Sequence, residues 1–166
     1  GHAVLQAKDA LAGYDGDVIA LFADTPLIQP NTIDRMRAAR ADGADIVVLG
    51  FRPDNPARYG RLVTDGDRLL RIVEYKDATD EERAIDLCNS GVICAGSKAL
   101  FELLSQVGNA NAAGEYYLTD VVGLATAAGK RVDVVLCDPS ETLGVNSRAE
   151  LAIAEAAFQT RARAEL

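Results

Sequence analysis

The chain lacks the features that mark nucleic-acid-binding and membrane proteins. It carries 17 Lys and Arg against 25 Asp and Glu, a formal net charge of -8, and its basic residues form no stripe or long cluster. Because nucleic acids and anionic membranes attract basic surfaces, this balance argues against both as partners. No apolar run approaches the roughly 20 residues that span a bilayer, and no basic segment followed by an apolar run marks a signal peptide.

Histidine and cysteine are scarce. His2 is the single histidine, too isolated for a Ser-His-Asp triad, and no Cys/His spacing resembles a zinc site. The cysteines Cys88, Cys94 and Cys137 are odd in number and lie in apolar, strand-like runs. We therefore expect reduced, buried thiols in a cytoplasmic protein.

The chain does have a regular alternation of strand and helix patterns. Buried strands are predicted at 17–23, 45–51, 87–95 and 131–137. Helices are predicted to begin near Pro30, Ser97, Thr119 and Ser147. The segments 61–64 and 69–74, joined by a tight turn at 65–67, have the pattern of a hairpin. Together these patterns predict an α/β fold, with a mainly parallel sheet and an inserted β-hairpin.

Length and apolar content fit one domain. The chain has 166 residues, 49% of them hydrophobic, so we predict a single domain over 1–166. A helical apolar pattern over 3–11 follows no strand pattern or N-cap, and we expect this domain to be partial. The long helix predicted from Ser147 has apolar positions spaced for one buried face: Leu151, Ala154, Ala157 and Phe158.

Polar residues follow several predicted strands. Ligands of open α/β sheets bind beyond the carboxyl ends of the strands, where Asp24, Glu74 and the loop 138–146 all fall. Asp24 and Asn146 offer the oxygen ligands that Mg²⁺ takes when water and substrate phosphate complete its shell. Each residue also has a plainer explanation, because Asp24 precedes the turn at Thr25-Pro26, Asn146 can cap a helix and Glu74 can be a surface carboxylate.

Two further polar runs, 115–120 and 144–148, stand at predicted helix starts. Unpaired backbone N–H groups and the helix dipole make such places suitable for phosphates and sugar hydroxyls. In the first run Tyr116 and Tyr117 point in opposite directions if the segment is extended, so we expect one in the core and the other over a ligand. Together with 22–27, these runs suggest a nucleotide-sugar site.

These motifs resemble, in order and combination, the uridylyltransferase domain of the bacterial bifunctional N-acetylglucosamine-1-phosphate uridyltransferases. The resemblance covers nearly the whole chain and implies a Rossmann-like nucleotide-diphospho-sugar transferase fold, truncated at its N-terminus. The segments that carry it are 22–28, 59–61, 72–81, 89–91, 115–120 and 144–148.

The resemblance implies a role for each candidate residue on the nucleotide side. Asp24 and Asn146 would hold Mg²⁺ with the nucleotide, and Phe22 and Ala23 would line its pocket. Position 23 is Ala where the family usually has Gly, which narrows the approach of the ligand to the backbone.

On the sugar side, the resemblance implies that Gly60, Glu74 and Asn89 bind the sugar phosphate and its hydroxyls, with Tyr117 and Thr119 beside the sugar. The implied substrates are UTP and N-acetylglucosamine 1-phosphate. A phosphate oxygen of the sugar phosphate would attack the α-phosphorus of UTP, giving UDP-N-acetylglucosamine and pyrophosphate. Because that oxygen is already ionised, no residue is assigned as a catalytic acid or base.

Two parts of the family pattern have no counterpart in the chain. They are the N-terminal Gly-rich loop, with its Arg, Lys and uracil-reading segment, and the C-terminal acetyltransferase β-helix. We therefore expect the chain to keep the metal and sugar half of the site and to be inactive as a fragment. A nucleotidyltransferase for another sugar or base, a non-catalytic binding module, and a homo-oligomer formed through an exposed sheet edge or the last helix remain open alternatives.

Overall fold

The computed structural model describes residues 1–66 and 68–164, so the predicted turn at 65–67 lies partly outside the described residues. The strands are β1 (Asp17–Ala20), β2 (Ile46–Phe51), β3 (Arg61–Asp65), β4 (Arg68–Val73), β5 (Cys88–Gly96) and β6 (Val132–Leu136). The helices are α1 (His2–Leu5), α2 (Pro30–Ala41), α3 (Asp80–Arg83), α4 (Ser97–Leu104), α5 (Asp120–Ala127) and α6 (Arg148–Ala164), with a 3-10 turn at Pro139–Thr142.

The sheet is mixed, which corrects the expectation of a mainly parallel sheet. β5 lies between β1 and β2 and runs antiparallel to both, and β2 pairs in parallel with β6. Among the strands of the described ranges, β2–β6 is the single parallel pairing. The cause is the β3–β4 hairpin. It joins the sheet where Arg61 pairs with Cys88, so the chain enters β5 at the carboxyl ends of β1 and β2 and runs back between them.

The two faces of β2 explain the layered core. All six residues of β2 are buried, and alternate ones point to opposite faces. Ile46 and Val48 pack in the cluster that includes residues of α4 and α5. Val47 and Leu49 pack in the cluster that includes Met36 of α2. A helix layer on each face confirms the α/β class, and each fully buried Val or Leu contributes about 2 kcal/mol.

Local signals placed most helix ends correctly. α3 begins with a capping box, with Thr79 Oγ1 accepting from the Glu82 amide at 3.2 Å and Glu82 accepting from the Thr79 amide at 2.7 Å. The helical pattern over 3–11 forms a regular helix only at its start. Ser97 is the first residue of α4, while Gly96 occupies the N-cap without a side-chain bond.

The buried face predicted for the last helix is wrong in part. Ala154 is buried, but Leu151 and Phe158 are 54% and 44% exposed. Helical spacing decides which residues share a face, whereas burial also needs a neighbouring element to cover it. Within 1–66 and 68–164, no helix is long and apolar enough to cross a bilayer.

The cysteines are free, as expected. Cys88 and Cys94 are fully buried, while Cys137 is half-buried. Burial raises the pKa of the Cys94 thiol to about 11 and that of Cys137 to about 12. These thiols therefore stay protonated near neutral pH and are poor nucleophiles.

Candidate functional site

The candidate residues gather at one edge of the sheet. β1, β2 and β6 end there, and β5 begins there because it runs the other way. The start of β3 and the end of β4 reach the same edge, since Arg61 pairs with both Val73 and Cys88. Two open cavities lie at this edge, which we call the first and the second cavity.

The first cavity has a volume of 390 Å³ and contains the proposed metal ligands. Phe22, Asp24 and Asn146 all line it. The loop after β1 is tied to the loop before α6, because the amide of Val145 donates to the carbonyl of Asp24 at 2.8 Å. The structure thus brings Asp24 and Asn146, 122 positions apart in sequence, to one cavity.

A buried carboxylate fixes the loop that carries Asn146. Glu141 accepts from the amide of Gln29 at 2.9 Å and from the hydroxyl of Thr32 at 3.1 Å. Both donors lie at the start of α2, where a negative charge is favoured by the helix dipole. Glu141 therefore anchors the last loop of the site on α2, a role that no local sequence pattern indicates.

The first cavity offers two oxygen ligands to a hard cation. Asp24 and Asn146 are exposed and supply one carboxylate and one amide oxygen. Elsewhere in the described chain, as here, there is no group of three His, Cys, Asp or Glu side chains able to hold a metal. This arrangement suits a hard divalent cation that keeps several waters and substrate phosphates around one or two protein ligands.

Phe22 rests on Gly91 at the side of the first cavity. Gly91 has a φ of +89°, and a Cβ there would overlap the Phe22 ring. Glycine is needed at this position for both reasons. Phe22 is still half exposed, so one side of its ring faces solvent at the cavity. Ala23 is exposed and lines neither cavity.

The sugar-side residues form a connected group. Thr119 Oγ1 donates to Glu74 Oε1 at 3.0 Å. The amide of Asn89 donates to the carbonyl of Gly60 at 2.9 Å. Gly60 lies beside this carboxylate, since a Cβ at Gly60 would be 3.4 Å from Glu74 Oε2, an ordinary contact distance. Asn89 Oδ1 accepts from the Gly91 amide at 3.0 Å, which links this group to Phe22.

The second cavity, of 380 Å³, opens beside this group and is lined by Glu74 and Tyr117. Partial burial, followed by the charges of Asp77 and Glu74, raises the pKa of the Tyr117 phenol, which therefore remains a hydrogen-bond donor at neutral pH. Tyr116 is 48% exposed, so the expectation that one of the two tyrosines belongs to the core is wrong.

Two cations of the second cavity were not singled out from the sequence. Arg58 and Lys76 line it together with Glu74. An anionic ligand needs local positive charge in a chain of net charge -8, and these two residues can supply it. Arg58 lies two positions before Gly60, and Lys76 lies two positions after Glu74. Their closeness to these motif residues is the sequence signal that could have found them.

The start of α6 is satisfied by its own side chains. The Glu150 amide donates to Ser147 Oγ at 3.2 Å, and the Asn146 amide donates to the Glu150 carboxylate at 2.8 Å. The first is an N-cap bond, while the second satisfies the amide of the residue that precedes the N-cap. A ligand phosphate at this helix start would therefore compete with Glu150, and the first cavity is better explained by the side chains of Asp24 and Asn146.

The fold is shared with solved pyrophosphorylase structures. The structure superposes on a nucleoside-diphosphate-sugar pyrophosphorylase from Vibrio cholerae with a TM-score of 0.67 and 15% identity, covering 92% of this chain and 63% of the other. It matches apo UDP-glucose pyrophosphorylase with a TM-score of 0.68 and 18% identity, covering 96% and 60%. At such identities the likeness concerns the fold, and it confirms the predicted nucleotide-diphospho-sugar transferase architecture.

Sequence comparison gives the particular relatives. The chain is 64% identical over 163 residues to bifunctional protein GlmU of Cereibacter sphaeroides and 59% identical over 165 residues to that of Ruegeria pomeroyi. These alignments cover 98% and 99% of this chain but 36% of each relative, so the chain spans about a third of their length. No family model matches. The chain is thus similar to one portion of the GlmU proteins, and the resemblance stated from its motifs is confirmed.

Proposed function

We propose that this chain is the sugar-phosphate-binding and metal-binding portion of a uridylyltransferase. The reaction transfers UMP from UTP to N-acetylglucosamine 1-phosphate, forming UDP-N-acetylglucosamine and pyrophosphate. The observation that carries the proposal is the connected group of Gly60, Glu74, Asn89 and Thr119, which lies beside the second cavity at the same sheet edge as Asp24 and Asn146.

On the sugar side, Glu74 accepts hydrogen bonds from the sugar hydroxyls. Thr119 already holds one carboxylate oxygen of Glu74, which leaves the other for the ligand. Asn89 and the Gly60 backbone bind on the same side, and Tyr117 donates from across the second cavity. Arg58 and Lys76 offset the charge of the sugar phosphate.

On the nucleotide side, Asp24 and Asn146 would hold Mg²⁺, which when bound neutralises phosphate charge. Phe22 lines the nucleotide pocket. The attacking phosphate oxygen carries its own negative charge, so the residues of the chain align the two substrates and remove no proton. The reduced, protonated thiols fit a cytoplasmic enzyme of this class.

Calorimetric titration of the chain tests this proposal. The ligands are N-acetylglucosamine 1-phosphate and UTP, each with and without Mg²⁺. We expect the sugar phosphate to bind and Glu74→Ala to lose at least about tenfold in affinity, or about 1.4 kcal/mol. The matched control is Glu102→Ala, an exposed carboxylate on α4.

The same titration separates the rival functions. A preference for a sugar phosphate without the acetamido group would replace the proposal by a related nucleotidyltransferase. A folded chain that binds neither ligand would contradict it and leave the fold without this function.

A further inference from the structure

Arg61 is a buried cation that the proposed function does not use. Its residue is 2% exposed. Among the described residues it forms no ion pair with a carboxylate. Burying an unpaired charge is costly unless its donors are hydrogen bonded. The position of Arg61 therefore requires an explanation beyond packing.

The guanidinium of Arg61 is satisfied by backbone carbonyls. It donates to Pro56 at 3.3 Å and to Ala57 at 3.2 Å, and it also bonds to the carbonyl of Tyr59. A further pair of donors reaches the carbonyl of Arg83, each at 3.3 Å. Three of the four acceptors lie in one short loop, residues 56–59, which we call the clamped loop.

One residue of the clamped loop, Ala57, has an unfavourable backbone conformation that hydrogen bonds must stabilise. Ala57 has a φ of +40°, the single positive φ outside glycine in the described ranges. Its amide donates to Asn55 Oδ1 at 3.0 Å, and its carbonyl accepts from Arg61. Such a conformation is unfavourable for a residue with a Cβ and persists where the surroundings fix it, often at functional sites.

The clamped loop lies between the two cavities. Arg58 lines the second cavity, and Tyr59 lines the first. Gly60 follows directly, with its carbonyl bonded to the amide of Asn89. The guanidinium thus holds the backbone of the segment that contributes to both halves of the site.

We propose that Arg61 is a positioning residue, whose guanidinium fixes the clamped loop so that Arg58, Tyr59 and Gly60 face the bound sugar phosphate and nucleotide. This inference rests on the proposed function for the identity of the ligand. The role requires the planar guanidinium of arginine. The compact ammonium group of a lysine cannot reach the carbonyls of the clamped loop and the carbonyl of Arg83 at the same time.

The test compares Arg61→Lys with Arg40→Lys. Arg40 is a matched control, since it is a largely buried arginine that bonds to the carbonyl of Ala44 and to Asp17 at the opposite edge of the sheet. Two quantities are measured for each variant: hydrogen exchange of the Tyr59 amide, which is bonded to Pro56, and the dissociation constant for N-acetylglucosamine 1-phosphate.

For Arg61→Lys we expect at least tenfold faster exchange at Tyr59 and about tenfold weaker binding. Arg40→Lys should change neither, even if its melting temperature falls equally. Equal binding by wild type and a folded Arg61→Lys variant would overturn the inference, as would unchanged exchange at Tyr59. If the wild type fails to bind, the proposed function fails, while the exchange result still decides whether Arg61 holds the loop.

Ala57→Val covers the case in which Arg61→Lys does not fold. Ala57 is exposed, and a β-branched residue disfavours a φ of +40°, so this variant displaces the clamped loop and leaves Arg61 intact. We expect weaker sugar-phosphate binding in a folded protein. Unchanged affinity would show that the loop geometry does not serve the ligand and would overturn the inference.

Discussion

The hydroxyl of Thr119 donates a 3.0 Å hydrogen bond to Glu74, although Thr119 stands at the N-cap of α5. A threonine at this position usually bonds to the helix backbone, yet here no side-chain capping bond forms. The residue instead connects the start of α5 to the residue after β4. Thr119 therefore orients the Glu74 carboxylate at the second cavity and does not cap α5 with its side chain.

Replacing Thr119 by Val tests this connection. The change keeps the shape of the side chain and removes the hydroxyl, so we expect Glu74 to lose its orientation and sugar-phosphate affinity to fall about fivefold to tenfold, in line with a lost bond of about 1 kcal/mol. The control is Thr126→Val on the same helix, whose hydroxyl bonds to the carbonyl of Val122. Titration calorimetry of both variants decides, and equal affinities would speak against a role of Thr119.

Asp24→Asn tests the metal ligand. We expect this variant to keep its fold, because Asp24 is exposed. The ratio of UTP affinity with Mg²⁺ to UTP affinity without it should fall by about tenfold or more. Binding of the sugar phosphate without metal should stay the same. The exposed carboxylate of Asp34 on α2 provides the control, as Asp34→Asn. An unchanged Mg²⁺ response in Asp24→Asn would remove it from the metal site.

Gly91→Ala tests the contact with Phe22. The new methyl group meets the aromatic ring, and the φ of +89° strains any residue with a Cβ, so we expect a loss of about 2–4 kcal/mol in the free energy of unfolding. Gly129→Ala is the control, since Gly129 has a φ of +73° and open space around it. It should lose only about 1 kcal/mol in urea unfolding. Equal losses would mean that Phe22 does not rest on Gly91.

The pKa of Cys94, raised to about 11 by burial, gives a pH prediction. The unfolded thiol ionises near its ordinary pKa of about 8.5, while the folded one stays protonated, so the unfolded state gains stability as pH rises. The contribution is complete below pH 8.5 and is lost between about pH 8.5 and 11. Its size is on the order of 3 kcal/mol.

Urea unfolding of wild type and Cys94→Ala at several pH values measures this effect. The variant is expected to be less stable at pH 7 because of the cavity, and to lose less stability than wild type as pH rises. Parallel pH dependences would contradict the prediction.

The sequence could predict the elements and the edge that carries the site, because both depend on local patterns. Apolar periodicity placed β2 and α2, and the rule that ligands lie beyond strand ends placed Asp24 and Glu74 together. The direction of β5 could not be predicted, since its pattern is that of any buried strand. No local sequence pattern shows that the β3–β4 hairpin brings the chain to the ligand edge of the sheet, where β5 begins.

Other features depended on distant partners. The exposure of Leu151 and Phe158 could not be predicted, because the spacing of apolar residues does not show what covers a helix. The role of Glu141 depends on residues 29 and 32, more than 100 positions away. Arg61 stood beside a motif glycine, but its carbonyl partners become visible only when the clamped loop is folded.

The most direct test of the account is to map bound N-acetylglucosamine 1-phosphate on the chain by amide chemical shifts in NMR. We expect saturable shifts at Gly60, Glu74 and Asn89, which disappear in Glu74→Ala. Saturable binding that leaves these amides unchanged and shifts residues elsewhere, such as those of α4, would contradict the assignment of the site.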